Sequence, residues 1–206
     1  MQIVILANAE QKKELLSKSK NENVNIEYVN EYEELTNYTN ADALFIFQDE
    51  LNIPYISLIT QPLFIHSVIA TLDDLNLGNN VSRVNAWPTF LQRNLWEVST
   101  KDKVLVKNIL EGVGWKYLVT PDEPGFIAAR IIAMIINEAY FTYEEKISTK
   151  EEIDAAMKLG TNYPYGPFEW AQKIRLQNIY NLLNALHKKD ERYMPALTIE
   201  RELTSI

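Results

Sequence analysis

The sequence predicts an α/β domain with a largely parallel sheet over residues 1–122, followed by an all-α domain over residues 123–206. In the first part, short apolar runs alternate with polar helical segments, which is typical of a parallel sheet covered on both faces. After Asp122 the strand patterns end and long helical apolar stripes begin. With 47% hydrophobic and 23% charged residues, the composition is that of folded domains.

The strands of the first domain are predicted at QIVILAN, NVNIEYVN, ALFIFQ, at least one of IPYISLI and PLFIHSV, VSRVNAW, and WKYLVT. A short polar helix with Leu15 and Leu16 on one side follows the first strand. A second short helix or turn is expected at EYEELTNYTNAD. The segment TKDKVLVKNILEGVG predicts a further helix, with Thr100 as its N-cap and Gly112 and Gly114 at its end.

Three helices are predicted for the second domain. The first, Ile127–Tyr143, is apolar on most sides, with Ile131 among the residues spaced to face a core, so we expect it at the centre of a bundle or buried in a dimer. The second carries a Thr149–Glu152 capping box and ends at Gly160. The third is expected to run without a break through EWAQKIRLQNIYNLLNALHKK.

Charge and composition exclude several classes of function. A net charge of −8 and a pI of about 4.9 disfavour nucleic acid and anionic membranes as partners. The absence of cysteine excludes disulfides and thiolate chemistry, and two histidines are too few for a histidine-rich metal site. No apolar run approaches a membrane span, and no signal peptide is visible. We therefore expect a soluble cytoplasmic protein without a metal, with no membrane or nucleic-acid partner.

Four segments of the second domain form a long and distinctive pattern: Pro124–Phe126, Asn137–Ala139, Asp154–Gly160 and Tyr163–Glu169. This pattern closely resembles the C-terminal domain of 3-hydroxyacyl-CoA dehydrogenases over most of residues 122–195. From the residues alone, it indicates mainly architecture, since the prolines and glycines fix a rigid turn. The resemblance implies more, namely a contribution to an acyl-CoA site and a homodimer formed through the helical domain.

A weaker resemblance extends into the first domain, along RVNAWPTFLQRNLWEV. Glu97 stands where the family has the glutamate that orients a catalytic histidine, and twelve positions earlier Asn85 stands in place of that histidine. An amide cannot take up the proton that an imidazole of near-neutral pKa accepts. In the substrate-contacting motif of the family, Ala129 replaces an asparagine, whereas Arg130 is kept. The resemblance thus implies a substrate cleft without its base.

The nucleotide site is also altered. The resemblance implies NAD as the cofactor, but the first strand runs into ANAEQKKE, which has no glycine to let the backbone approach a pyrophosphate. Glu10 lies where a diphosphate would be repelled. Glu31 is placed to mimic a ribose-binding acid, although an exposed carboxylate at a helix start is the favoured explanation. The first domain is therefore expected to be a shortened Rossmann-like domain with no assigned cofactor-binding residue.

Other residues allow two interpretations each. His66, with Ser67 and Glu97, is a candidate relocated base, although a hydrogen-bonded histidine at a strand end is favoured. Trp87 and Phe90 are candidates to line an acyl pocket; the alternative is that they only pack between the two domains. The same two alternatives apply to Trp96 and Trp115. Three arginines either bind a CoA phosphate or a carboxylate of the ligand, or pair with acidic residues at the surface: Arg83, Arg93 and Arg130.

Three hypotheses about function follow from these residues. The first is an active, divergent NAD-dependent 3-hydroxyacyl-CoA dehydrogenase of fatty acid metabolism with a relocated base. The second is a pseudoenzyme that binds an acyl-CoA-like ligand without hydride transfer, and the third is a structural dimer. The changes at Asn85, at Ala129 and in the phosphate loop favour the second.

Overall fold

The computed structural model describes residues 1–204 and divides into two compact units, Met1–Phe126 and Ile127–Ile206. The first is an α/β unit with three α-helices and a 3₁₀ helix at Tyr32–Tyr38. Its helices are α1 (Ala9–Leu16), α2 (Ile53–Ile56) and α3 (Lys103–Val113). Its strands are β1 (Gln2–Leu6), β2 (Asn25–Val29), β3 (Ala43–Ile46), β4 (Leu63–His66), β5 (Val81–Val84), β6 (Leu95–Thr100) and β7 (Lys116–Val119).

The seven strands form one sheet in the order β2-β1-β3-β4-β5-β6-β7. Every neighbouring pair is parallel except β5 and β6, which are antiparallel. The largely parallel sheet expected from the sequence is thus present. The strand β6 was not predicted, and it begins inside the stretch RVNAWPTFLQRNLWEV that the sequence offered as a candidate site.

Both faces of the sheet are buried, because alternate residues of each strand enter two separate apolar clusters. On one face the ring of Phe45 stacks on Phe64, with ring centroids 4.5 Å apart, and lies edge-on to Trp96 and Trp115. On the other face Leu44 and its neighbours pack under the 3₁₀ helix and α2. This double burial explains why the strands read as nearly continuous apolar runs.

Two predicted details of the α/β unit are wrong. Leu15 is buried beneath α1, but Leu16 is exposed, because adjacent helical residues point about 100° apart. The N-cap of α3 is Asp102 instead of Thr100, since the Asp102 carboxylate accepts the backbone N–H groups of Val104 and Leu105. Gly114 ends this helix in the left-handed conformation, with φ of 89°, as predicted.

The second unit consists of five α-helices and a short 3₁₀ helix at Glu191–Tyr193 within the described residues. The α-helices are α4 (Ala128–Glu144), α5 (Lys150–Thr161), α6 (Pro167–Ile174), α7 (Leu176–His187) and α8 (Leu197–Thr204). The long apolar helix and the Thr149–Glu152 capping box are confirmed. None of the helices described over residues 1–204 is both long and apolar enough to cross a membrane.

Three expectations about the helical unit are wrong. Gly160 lies inside α5, and Asn162 takes the left-handed position with φ of 57°. The predicted third helix is two helices, because Arg175 has φ of 73° and cannot continue α6. Ile131 does not face the core of the unit, since it is 54% exposed.

The motif residues Asp154 and Gly166 belong to one packing arrangement. The Asp154 carboxylate accepts the backbone N–H groups of Phe168 at 2.8 Å and Glu169 at 3.1 Å, so a side chain of α5 caps the start of α6. A Cβ atom added at Gly166 would lie 2.2 Å from a carboxylate oxygen of Asp154. The glycine is therefore required by the closeness of α5 to the turn before α6.

A second motif residue, Asn137 of α4, fixes the chain after the 3₁₀ helix. Its buried side-chain amide donates to the carbonyl of Met194 at 2.8 Å, and its oxygen accepts the N–H of Ala196 at 2.8 Å. Both polar functions of the amide are thereby satisfied by backbone. Asn137 thus holds the segment that leads into α8.

We predict that Gly166→Ala lowers the free energy of unfolding of the helical unit. The new methyl group cannot be placed without displacing the Asp154 carboxylate, and overpacking of this kind costs about 1–3 kcal/mol. Urea unfolding followed by far-ultraviolet circular dichroism measures the change.

Gly160→Ala is the matched control for this substitution. A Cβ at Gly160 meets nothing within 4 Å, and the residue lies inside α5, so alanine should stabilise the helix by up to about 1 kcal/mol. Equal effects of the two substitutions would contradict the packing explanation for Gly166.

Candidate functional site

The candidate site lies at the edge of the sheet where the parallel strands β1, β3, β4 and β5 end. Ligands of open α/β sheets bind outside this carboxyl edge. Asn8 follows β1, Phe47 follows β3, His66 ends β4, and Asn85 follows β5. The sequence-predicted residues His66 and Asn85 are therefore brought to neighbouring strand ends, since β4 and β5 pair directly.

Asn85 and Glu97 lie one step beyond the last residue pair of the antiparallel strands, Val84 and Val98. Asn85 is 7% exposed, and its side-chain oxygen accepts the N–H of Trp87 at 3.0 Å. Its Nδ2 atom is buried and makes no hydrogen bond within the described residues. The side chain is thus oriented as a donor, and its one acceptor atom is already engaged by backbone.

The partly buried carboxylate of Glu97 interacts with the charge of Arg93. Burial lowers the pKa of Arg93, and the negative charges of Glu97 and Glu14 oppose that effect. The guanidinium of Arg93 also lies 3.7 Å from the ring centroid of Phe90. Glu97 therefore faces an arginine that never loses its proton near neutral pH, instead of a titrating imidazole.

His66 is 6% exposed and has a defined hydrogen-bonding pattern. Its Nδ1 atom accepts the N–H of Ala86 at 3.0 Å, so in the neutral ring the proton is on Nε2, which lies 3.6 Å from a carboxylate oxygen of Asp49. Burial lowers the pKa of His66 to about 4, and the charge of Asp49 opposes this shift. The imidazole is therefore neutral near pH 7 and a weak base.

The start of α1, where a Rossmann domain holds a pyrophosphate, is closed by its own side chains. Asn8 accepts the N–H of Gln11 at 2.9 Å, and Gln11 accepts the N–H of Asn8 at 3.1 Å, which forms a capping box. The buried Gln11 amide also donates to the carbonyl of Phe47 at 2.6 Å. The first glycine of the chain is Gly78, so no glycine opens this turn.

The aromatic residues that the sequence offered as pocket-lining groups are buried. Trp87 and Phe90 pack edge-to-face with centroids 6.2 Å apart, and Trp96 and Trp115 are 4.7 Å apart in the core of the α/β unit. Trp96 also donates its indole N–H to the carbonyl of Leu91. These contacts favour packing over an open acyl pocket.

The expectation that Arg83 pairs at the surface is wrong, because its side chain is completely buried. Its Nε donates to Asp122 at 2.7 Å, and its two terminal nitrogens donate to the carbonyls of Ser67, Ala70 and Glu123. With every guanidinium nitrogen engaged by protein, Arg83 is not placed to bind a phosphate.

In the helical unit, Arg130 lines an open apolar groove of about 900 Å³, whereas the adjacent Ala129 is completely buried. The groove lies along the exposed side of α4 and its apolar wall comes from α4, α5 and the segment between them. Its aliphatic lining residues are Ile131, Met134, Ile135, Ile147, Ile153 and Met157. Continuous apolar surfaces of this kind are typical of interaction sites.

Sequence reasoning missed Gln11 and Glu14, whose contacts join α1 to the segment around Asn85. The spacing of Asn8 and Gln11 is a capping-box signal and could have been recognised. The contacts of Glu14 join residues 75 and 78 positions apart, and no local pattern reports them. Over residues 1–204, no three histidine, aspartate or glutamate side chains are grouped as metal ligands.

Comparison with protein families matches residues 125–204 to the C-terminal domain of 3-hydroxyacyl-CoA dehydrogenase. The chain is 42% identical over 88 residues to 3-hydroxyadipyl-CoA dehydrogenase of Escherichia coli K12, covering 42% of this chain and 18% of that protein. It is 40% identical over 91 residues to 3-hydroxybutyryl-CoA dehydrogenase of Bradyrhizobium diazoefficiens, covering 43% and 31%. The matched part is thus less than a third of each relative's length.

Solved structures show the same fold over more of the chain. (S)-3-hydroxybutyryl-CoA dehydrogenase of Ralstonia eutropha aligns with a TM-score of 0.70 at 20% identity, over 87% of this chain and 70% of that one. 3-hydroxybutyryl-CoA dehydrogenase of Escherichia coli K12 aligns with a TM-score of 0.69 at 19% identity, over 87% and 42%. The predicted fold class, a Rossmann-like sheet followed by a helical domain of this type, is confirmed.

We predict that His66 makes the α/β unit sensitive to acid. Its folded pKa of about 4 lies below the ordinary value of 6.5, so the unfolded state binds more protons in between. The free energy of unfolding should therefore fall as the pH drops from about 6.5 to about 4, by roughly 3 kcal/mol at 1.4 kcal/mol per pKa unit.

Urea unfolding followed by tryptophan fluorescence at several pH values measures this loss. His66→Asn should flatten the dependence between pH 4 and 6.5, whereas His187→Asn should follow the unsubstituted protein. Parallel curves for all three proteins would show that His66 is not the group that titrates.

Proposed function

We propose that the protein binds an acyl-CoA-type ligand without transferring hydride, since residues 125–204 match the C-terminal domain of 3-hydroxyacyl-CoA dehydrogenase. The observation that carries the proposal is Asn85. It occupies the position of the family base, its oxygen accepts from the Trp87 backbone, and its Nδ2 is a donor. A group that cannot accept a proton cannot deprotonate a 3-hydroxyl.

We also propose that NAD is not bound, and the start of α1 supports this. A pyrophosphate at a helix N-terminus needs free backbone N–H groups and a close approach of the backbone. Here the Asn8 and Gln11 N–H groups are taken by the capping box, and the Gln11 side chain reaches across to Phe47. These residues do not fit the dinucleotide, so no step of a reaction is assigned to it.

The acyl-CoA-type ligand is proposed from the helical domain. The curated relatives that match this domain are named as dehydrogenases of 3-hydroxyadipyl-CoA and 3-hydroxybutyryl-CoA. Arg130 keeps the position of the family motif, and its guanidinium is a charge that suits a phosphate or carboxylate of the ligand. Ala129, in place of the family asparagine, removes one polar contact and is expected to weaken binding.

An active dehydrogenase with His66 as a relocated base remains the alternative proposal. Its support is the place of His66 at the carboxyl end of β4, with Asp49 near Nε2. Against it stand the burial of the ring and a pKa of about 4, which leave a weak base at neutral pH. We therefore favour ligand binding without oxidation.

We also propose that the protein is a homodimer formed through the groove of α4 and α5. The groove is apolar over most of its lining, and Ile131 is more than half exposed on it. Charged residues of both signs, Arg130, Arg192, Glu138 and Glu152, lie around the aliphatic lining. A self-complementary contact between two copies would bury the apolar lining and leave the charged residues at the rim of the contact.

Calorimetric titration is expected to show binding of acetoacetyl-CoA and no binding of NAD⁺. Arg130→Gln should weaken the acetoacetyl-CoA affinity about tenfold, the loss of one charge-assisted hydrogen bond. Lys173→Gln, a substitution elsewhere in the same unit, serves as the control for charge alone.

The two titrations test the two ligand proposals separately. Sub-millimolar binding of NAD⁺ would overturn the proposal that the dinucleotide site is lost. Failure of acetoacetyl-CoA to bind would overturn the acyl-CoA proposal and leave the structural dimer as the function.

Sedimentation equilibrium at micromolar concentration is expected to show a dimer, and Ile131→Glu should convert it to a monomer. A carboxylate in the middle of the apolar groove would have to be buried without a partner. Leu159→Glu is the control, because Leu159 is 88% exposed on α5 and does not line the groove. A monomer in the unsubstituted protein, or equal effects of both substitutions, would contradict the interface.

A further inference from the structure

Ten residues connect β5 to β6, from Asn85 to Asn94, and we call this segment the strap. It returns the chain so that β6 runs antiparallel to β5. Although it contains no regular secondary structure, the side chains of Trp87, Phe90 and Leu91 are buried. The strap is therefore packed against the α/β unit and is not an open loop.

Side chains from α1 and the residues just after it hold the strap. The carboxylate of Glu14 accepts the N–H of Thr89 at 2.6 Å with one oxygen and the N–H of Gln92 at 3.2 Å with the other. Lys18 donates to the carbonyl of Arg93 at 2.6 Å, and Gln11 lies 3.5 Å from the carbonyl of Ala86. Gln11 and Glu14 share one side of α1 by their spacing, and Lys18 lies two residues beyond its end, so the three side chains contact the strap at successive points.

The strap is also strained. Thr89 has φ of 78°, a left-handed conformation that a β-branched residue rarely adopts. Its hydroxyl oxygen is buried without a hydrogen bond among the described residues, and so is Nδ2 of Asn85. Backbone strain and unsatisfied buried polar atoms both raise the energy of the closed strap, and both persist only where surrounding contacts impose them.

The strap covers the polar groups at the ends of β4 and β5. Its second residue, Ala86, donates to Nδ1 of His66, and its first residue, Asn85, is itself buried. Any molecule that is to meet Nδ1 of His66 or the amide of Asn85 must therefore displace this segment.

We propose that the strap is a strained gate, held closed by Glu14, that controls access to His66 and Asn85 at the carboxyl edge of the sheet. Opening breaks the hydrogen bonds to Glu14, relieves the conformation of Thr89, and lets water reach both buried polar groups. The gate concerns the same edge of the sheet as the proposed function, but its opening is a property of the α/β unit alone. It can therefore be tested without any ligand.

Hydrogen exchange of the strap amides, read by mass spectrometry, tests the gate. Glu14→Gln leaves one acceptor oxygen and puts an NH2 donor in place of the other. One charge-assisted hydrogen bond therefore becomes neutral and the other is lost, so peptides covering residues 86–93 should exchange about tenfold faster. Glu10→Gln is the matched control, since Glu10 is exposed on the same helix and its substitution should leave strap exchange unchanged.

Thr89→Gly should act in the opposite direction. Glycine adopts positive φ without strain and removes the unsatisfied hydroxyl, so the closed strap becomes more stable and its amides should exchange several-fold more slowly. Thr36→Gly, at an exposed residue of the 3₁₀ helix, should not change strap exchange.

Equal strap exchange in Glu14→Gln and Glu10→Gln would overturn the gate. So would an equal acceleration of all amides of the α/β unit, because it would mean global unfolding instead of local opening. If Glu14→Gln fails to fold, Thr89→Gly decides alone, and unchanged or faster strap exchange in that variant overturns the proposal.

Access to His66 is measured by its carbethoxylation rate, with His187, the other histidine of the chain, as the internal reference. In the absence of ligand, Glu14→Gln should raise the rate at His66 about tenfold and leave His187 unchanged. A strap that exchanges faster while His66 stays unreactive would overturn its role as a gate. Because no ligand is added, this result is independent of whether acetoacetyl-CoA binds.

Discussion

Arg83 places a positive charge inside the α/β unit, and the carboxyl edge of the sheet is arranged around it. Its guanidinium reaches Asp122 after β7 and the carbonyls of Ser67 and Ala70 after β4, so one side chain joins segments that follow different strands. Removing one partner of such a buried pair costs about 3–5 kcal/mol, because the other charge is left without compensation. Asn85 lies two residues further along the chain, and its position therefore depends on this fixed point.

The helical unit is held by the same kind of interaction, a buried polar side chain that satisfies backbone. Asp154 caps α6 and Asn137 ties down the segment before α8. Burial raises the pKa of Asp154, and the two backbone donors oppose that shift, so the carboxylate is kept for the hydrogen bonds it accepts. In both units, the residues that fix the geometry are polar and buried, while the apolar core supplies the bulk of the stabilisation.

The sequence predicts most of the sheet because strands covered on both faces leave uninterrupted apolar runs, as in residues 43–47. It does not reveal β6, where Glu97 and Ser99 interrupt the apolar run. The break at Arg175 lacks a glycine or proline signal, since the left-handed backbone falls on an ordinary residue. Of the candidate site, the sequence identifies Asn85, Glu97 and His66, but not the hold of Glu14 on the strap, which is a contact between distant residues.

The residues on which the family resemblance rests are constrained by the fold, whereas residues that take part in a reaction are constrained by its chemistry. Asp154, Gly166 and Asn137 are needed by the helical fold itself, whether or not a reaction takes place. Residues that serve only a reaction are not needed by the fold; in this chain Asn85 follows β5, and the Asn8–Gln11 capping box closes the start of α1. The match over residues 125–204 therefore supports the fold of the helical domain, but it does not by itself support oxidation.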